Sequence, residues 1–179
     1  AGNYLIVGTA TVDGAVFLRA STGDVIDKIK DPTGIITFAA TSDTEKTALM
    51  YSPAGSLSYY NMSTGRMKQR FTVEQGLTQS VAFSNNVFLA GIKDNYIYVI
   101  YALSGKTVAS FPAQNPVILS SSFDNELYYL EYDGRSSYSL KMLENVDNKT
   151  VSNPRIIKNY TGPRNDKSIC CGAKAGNSI

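Results

Sequence analysis

Enzyme chemistry is carried by few residue types, and this sequence is short of several. It has no His and no Trp, two Cys, and 15 Asp and Glu against 17 Lys and Arg. Without imidazole there is no Ser-His-Asp or Cys-His pair, because each needs a ring nitrogen to take the proton of the nucleophile. A zinc site with His ligands is excluded for the same reason. The two cysteines are neighbours, Cys170 and Cys171. An adjacent pair closes no loop, and two thiols alone leave a metal undercoordinated, so small buried strand residues are expected there. This cysteine usage leans towards a reducing, intracellular setting.

The carboxylates give no better catalytic pattern. Asp13, Asp94 and Asp133 stand beside Gly or Asn, and Asp24 follows Gly23. In such turns a carboxylate accepts backbone N–H bonds. A glycosidase pair would have to converge on one site, which no spacing here implies. Asp124-Asn125-Glu126 is the nearest approach to an alternating calcium loop and reads more simply as a turn. We therefore expect no catalytic residue, metal or cofactor, and a protein that is not an enzyme.

Binding residues are a different matter. Ten of the 12 Tyr lie between Tyr51 and Tyr138. In Tyr96-Ile97-Tyr98-Val99 the two rings share one face of a strand. Tyr suits interfaces because it joins an apolar body to a polar tip. Tyr59, Tyr96 and Tyr98, with the turn Asp94-Asn95, form the candidate partner-binding set; the competing role for the rings is packing between sheets. The C-terminal stretch holds Arg155, Lys158, Arg164, Lys167 and Lys174 against Asp166. With no aromatic platform beyond Tyr160, it reads as a solvated basic tail rather than a nucleic-acid contact. Sequons at Asn61, Asn148 and Asn159 are what a Ser/Thr-rich chain yields by chance. No apolar run approaches the roughly 20 residues of a membrane-spanning helix, and no basic leader precedes the first apolar run.

What positions these side chains is a repeat. Gly23, Gly65 and Gly105 follow Ser or Thr at intervals of 42 and 40 residues, and a second turn series, Asp13-Gly14, Ala54-Gly55, Asp94-Asn95 and Asp133-Gly134, keeps the same period. Between and around these turns run short stretches rich in β-branched and aromatic residues, such as Tyr4–Gly8, Ala15–Leu18, Val25–Ile29, Thr47–Tyr51 and Tyr96–Tyr101. No window carries a helical apolar stripe. Several stretches are apolar on both sides, which a sandwich wetted on its outer faces does not require but a sheet stacked between two others does. The expected fold is all-β: a β-propeller of four-stranded antiparallel blades, about four of them, part of a larger ring.

The segment Ser80-Val81-Ala82-Phe83-Ser84 through Asp94-Asn95-Tyr96-Ile97-Tyr98-Val99-Ile100-Tyr101-Ala102-Leu103-Ser104-Gly105-Lys106 resembles a divergent WD40 repeat and is similar to quinoprotein-like repeats. Leu18-Arg19, Tyr60-Asn61 and Ile100-Tyr101 stand where a WD repeat carries Trp-Asp, and no His is present for its Gly-His pair. The resemblance implies a scaffold for protein–protein interaction in a larger complex. A ligand-binding or sensor propeller, lectin-like or lumenal, is the alternative; a quinoprotein-type enzyme stands behind both, since the Trp residues that stack on its quinone have no counterpart. Blades are expected at about 1–31, 32–75, 76–113 and 114–158, with 159–179 a basic tail. The first unit starts at its second strand, and Ser168-Ile169-Cys170-Cys171-Gly172 resembles a lone first strand. That strand would close a four-bladed ring; the favoured reading is a ring of about six to eight blades, completed by a partner or by further chain.

Overall fold

Alternating β-branched and aromatic stretches separated by left-handed turns leave the chain little choice but hairpins. The computed structural model describes residues 4–8, 14–29, 36–42, 46–64, 66–84, 87–119, 126–135, 137–144, 146 and 151–161. Among these the structure consists of strands and turns, without a helix. The first sheet has three strands, β1 (Tyr4–Gly8), β2 (Ala15–Arg19) and β3 (Val25–Ile29). The second contains β4 (Phe38–Ser42), β5 (Thr47–Ser52), β6 (Ser56–Asn61) and β7 (Arg66–Thr72). The third contains β8 (Thr78–Phe83), β9 (Phe88–Lys93), β10 (Tyr96–Tyr101) and β11 (Lys106–Pro112). The fourth contains β12 (Val117–Leu119), β13 (Leu127–Tyr132), β14 (Ser137–Leu143) and β15 (Arg155–Thr161). Each sheet is an antiparallel meander in chain order. Such sheets are propeller blades.

The turn series seen in the sequence is a backbone requirement. Gly14, Gly55, Asn95 and Gly134 occupy equivalent places in the four blades, and all have positive φ, at 65°, 90°, 59° and 80°. Only Gly enters this region freely; Asn and Asp are the residues that tolerate it best. A second feature recurs that the sequence does not announce. The pairing of the last two strands slips by one residue in every blade, between Phe17 and Leu18, Tyr59 and Tyr60, Val99 and Ile100, and Leu140 and Lys141. A bulge at a fixed position increases the twist of the outer strand and puts the four blades in a common register.

The chain forms two compact units. One comprises Ala1–Gly76 with Ala102–Gly105, the other Leu77–Tyr101 with Lys106–Ile179. In the first, the front of the β1–β3 blade (Ile6, Ala15, Phe17) seals against Ala48, Met50 and Tyr60 on the back of the next. Tyr4 adds its ring 5.6 Å from that of Phe17. The second unit repeats the arrangement, with Phe88, Ala90, Ile97 and Val99 against Leu127, Tyr129 and Leu143. Ile118 on β12 donates its N–H to Gln79 Oε1 on β8 at 3.3 Å, tying the two first strands together. β13 shows the consequence for sequence: Leu127 and Tyr129 face one cluster while Tyr128 and Leu130 face another, so consecutive residues are all buried. This is the two-sided apolar pattern the sequence displays.

Outer strands differ. β7, β11 and β15 are largely exposed. β15 runs to Thr161, so the boundary expected at 158 falls inside a strand. Arg155 Nε pairs there with Glu144 Oε1 at 3.2 Å, and Lys158 Nζ lies 5.3 Å from the centre of the Tyr160 ring. The expected closing strand Ser168–Gly172, Cys170 and Cys171 among it, lies outside the described residues.

Burial in the second seam has a measurable effect on pH stability. Tyr129 is almost wholly buried. Desolvation, with the Glu131 charge as a lesser cause, pushes its phenol well above the ordinary value. The unfolded chain therefore releases this proton first, near the ordinary value of about 10. Stability is complete below that pH and declines as pH rises beyond it, because only the unfolded state gains from ionisation. Thermal melts between pH 9 and 11, compared with Tyr129→Phe, should show a steeper alkaline decline in the native sequence; parallel curves would dismiss the effect.

Candidate functional site

The expected partner-binding residues meet different fates. Tyr59 sits at the position of Phe17 and Val99, just before the bulge, and is buried at 6 % exposure. It is a core residue and is withdrawn from the accessible set. Asp94, Asn95 and Tyr96 are exposed, and Tyr98 is half-buried. These four share one hairpin of the second unit.

That hairpin is a two-residue connection between β9 and β10. Asp94 and Asn95 have φ of 50° and 59°, the double left-handed geometry that matches the twist of paired strands. Asp and Asn enter it with less strain than other side chains carrying a Cβ. Strand alternation then sends Ile97 and Val99 into the seam and leaves Tyr96 and Tyr98 on the opposite face. Their rings lie 6.4 Å apart at 45°, a tilted aromatic pair.

The loop after β11 holds this hairpin in place. Ala113 N–H donates to Asn95 O at 2.8 Å. One residue on, Gln114 O accepts from Tyr132 N–H at 3.1 Å, and Gln114 Nε2 donates to Asp133 O at 3.3 Å. Asn115 Nδ2 donates to Tyr132 O at 3.2 Å. Ala113 to Asn115 thus stitches the β9–β10 turn to the β13–β14 turn of the next blade.

The second turn is built as tightly. Asp133 Oδ1 accepts from Arg135 N–H at 2.8 Å and Ser137 N–H at 3.0 Å. Tyr132 donates its hydroxyl to Arg135 O at 3.0 Å and stacks on Tyr138 with ring centres 4.7 Å apart. The result is a rim with exposed Asp94, Asn95, Tyr96, Gln114, Asn115 and Arg135 on turns joined by hydrogen bonds. Sequence reasoning missed Gln114, Asn115, Tyr132 and Arg135. The signal available was Gln114-Asn115-Pro116, a turn-forming run between two strands.

Several of the described carboxylates serve the fold. Besides Asp133, Asp24 accepts from Thr22 Oγ1 at 2.6 Å, Glu126 from Tyr128 OH at 2.7 Å, and Glu131 pairs with Lys141 at 2.8 Å. Among the described residues no three His, Cys, Asp or Glu side chains gather as a metal site would require. No helix among them is long and apolar enough to cross a membrane.

An uncharacterized protein of Treponema pallidum (strain Nichols) is 26% identical over 130 residues, covering 73% of this chain and 21% of that protein. The chain thus spans about a fifth of the length of this relative. Among solved structures, dihydro-heme d1 dehydrogenase NirN in complex with DHE is similar in fold, with a TM-score of 0.67 at 11% identity, over 90% of this chain and 35% of that one. A likeness at that identity speaks for fold alone. The family model TP_0598_N, described as an N-terminal β-propeller domain, matches residues 1–177. On that match, and with blades of the topology described above, the chain belongs to this family of N-terminal β-propeller domains.

Proposed function

We propose that this domain is a non-catalytic propeller module that presents the rim around Asp94, Asn95, Tyr96 and Tyr98 to other proteins within a larger assembly. One observation carries the reading. Two exposed turns, one of them bearing an aromatic pair, are cross-linked by the Ala113–Asn115 segment through backbone and side-chain hydrogen bonds. A partner binding there need not supply the ordering entropy of loops that are already fixed. Tyr anchors of this kind dominate protein interfaces because two torsions position a large contact area. Asp133 and Glu131 fit the same reading, since their oxygens serve a turn and an ion pair. The dehydrogenase named above contributes its fold to the argument and nothing of its chemistry.

The test is photo-crosslinking from a benzophenone amino acid placed at position 96, with Lys68 on the exposed strand β7 as control position. A discrete adduct with another protein from position 96, absent from position 68, is the expected result. Tyr96→Ala with Tyr98→Ala should weaken that partner about 30-fold, as the loss of roughly 2 kcal/mol from a hot-spot pair implies. Melting temperature should fall by no more than roughly 2–4 °C, because Tyr96 is exposed and Tyr98 only half-buried. No adduct specific to position 96, or turnover of a substrate at this rim, would refute the proposal.

A further inference from the structure

The register of the blades exposes an incomplete one. The residue just after the bulge pairs, on the strand preceding its own, with Leu5, Ala48, Leu89 and Tyr129. These four positions are therefore equivalent. Ala48 and Leu89 are 0% exposed and Tyr129 is 1%, whereas Leu5 is 52% exposed. Two residues on, Val7 is 40% exposed, while its counterparts Met50 and Gly91 are buried and Glu131 is half-buried. Cross-strand pairing extends this back face into rows, Leu5–Leu18–Val25 and Val7–Val16–Lys28. Half-buried Leu18 and Val16 join Leu5, Val7 and Val25 into one apolar surface rather than scattered residues, with Lys28 at its edge. The same blade shows three strands among the described residues where each of the others shows four.

What covers such a face is visible elsewhere in the molecule. In each compact unit the back of one blade is sealed by the front of the preceding one: Phe17, Ile6 and Ala15 on Ala48 and Met50, and Val99, Ala90 and Phe88 on Leu127 and Tyr129. We propose that the Leu5–Val7 face of the β1–β3 sheet is the seat of one further blade front, supplied by polypeptide beyond these 179 residues. The inference rests on the propeller module proposed above and identifies one of its partners by chemistry: an apolar sheet face carrying Phe, Ala, Ile or Val at the seam positions. Further polypeptide is its expected source, since this chain spans only 21% of its Treponema pallidum relative.

Single-cysteine labelling tests the proposal. With Cys170→Ser and Cys171→Ser as background, Leu5→Cys, Val7→Cys and, on the exposed outer strand, Met67→Cys are each reacted with a hydrophilic maleimide. This is done in the 179-residue chain and in the polypeptide expressed from the complete reading frame. In the short chain, Leu5→Cys and Met67→Cys should label at comparable rates. In the complete polypeptide Leu5→Cys and Val7→Cys should slow by at least about tenfold, with Met67→Cys unchanged, because burial removes access to the thiolate. Equal rates for Leu5→Cys in both proteins overturn the inference, as does slow labelling already in the short chain or a reading frame that adds no further chain. None of these outcomes bears on crosslinking from position 96, so the two proposals fail separately.

Discussion

Gly55→Ala should destabilise the protein by about 3 kcal/mol, whereas Gly134→Ala, at the equivalent turn position of the last blade, should cost only about 1 kcal/mol. Both glycines have positive φ, so both substitutions incur the left-handed penalty of a Cβ. At Gly134 that is all, because nothing lies within 4 Å of the added atom. At Gly55 the Cβ would come 2.6 Å from Gln75 Cγ and 2.9 Å from the carbonyl oxygen of Val73. The Gln75 side chain can turn away, but the oxygen belongs to backbone. Val73 also donates its own N–H to Gly55 O at 2.9 Å, so the two segments cannot separate without losing that bond. Thermal melts should show a drop of roughly 6–12 °C for Gly55→Ala and roughly 2–4 °C for Gly134→Ala. Gly134→Asn should lose less than Gly134→Ala, as Asn95 already holds the same turn position in the third blade. Equal losses at the two glycines would show that the crowding around Gly55 carries no energetic weight.

Phe17→Ala should lose about 3–5 kcal/mol, which approaches the whole stability of a marginal domain. Its ring is fully buried in the seam between the β1–β3 blade and the β4–β7 blade, against Tyr4, Ile6 and the small and sulfur-bearing residues Ala48 and Met50. Packed sheets do not collapse readily around a void, so both the transfer term and the cavity term apply. The opposite face of the same sheet provides the control. Leu5→Ala in this chain should lie within about 0.5 kcal/mol of the native protein, since the side chain is already more than half in water. Urea unfolding of both variants decides the matter. A Leu5→Ala loss as large as that of Phe17→Ala would mean that the back of the first blade is sealed in the isolated chain, against the labelling expected above.

Much of this architecture could be read from the sequence because a propeller blade is a local object. Its strands join consecutively through short turns, so period, turn residues and β-rich stretches all lie within about forty residues of one another. β3 and β10 match the stretches expected for them residue for residue. β15 was harder to see. An outer strand is exposed on both faces, so no apolar pattern is imposed on Arg155–Thr161, and no Ser/Thr-Gly turn precedes it. The candidate site divided along the same line. Tyr96 and Tyr98 beside the Asp94-Asn95 turn were identifiable from period-two alternation, but nothing in Leu57-Ser58-Tyr59-Tyr60 announces that Tyr59 is core.

By itself, then, the sequence determined the class of fold, the phase of the repeat, the left-handed turn positions and the absence of imidazole chemistry, all of which depend on residue type and short-range geometry. Only the tertiary structure decided which aromatic rings reach solvent and which of two equivalent glycines is crowded. It also showed that the Ala113–Asn115 loop binds neighbouring turns together, and that Leu5 is exposed where its counterparts are not. The reason is physical: burial and crowding are properties of what lies across a seam, and a residue's neighbours across a seam come from a different repeat, some forty positions away, about which its own local pattern carries no information.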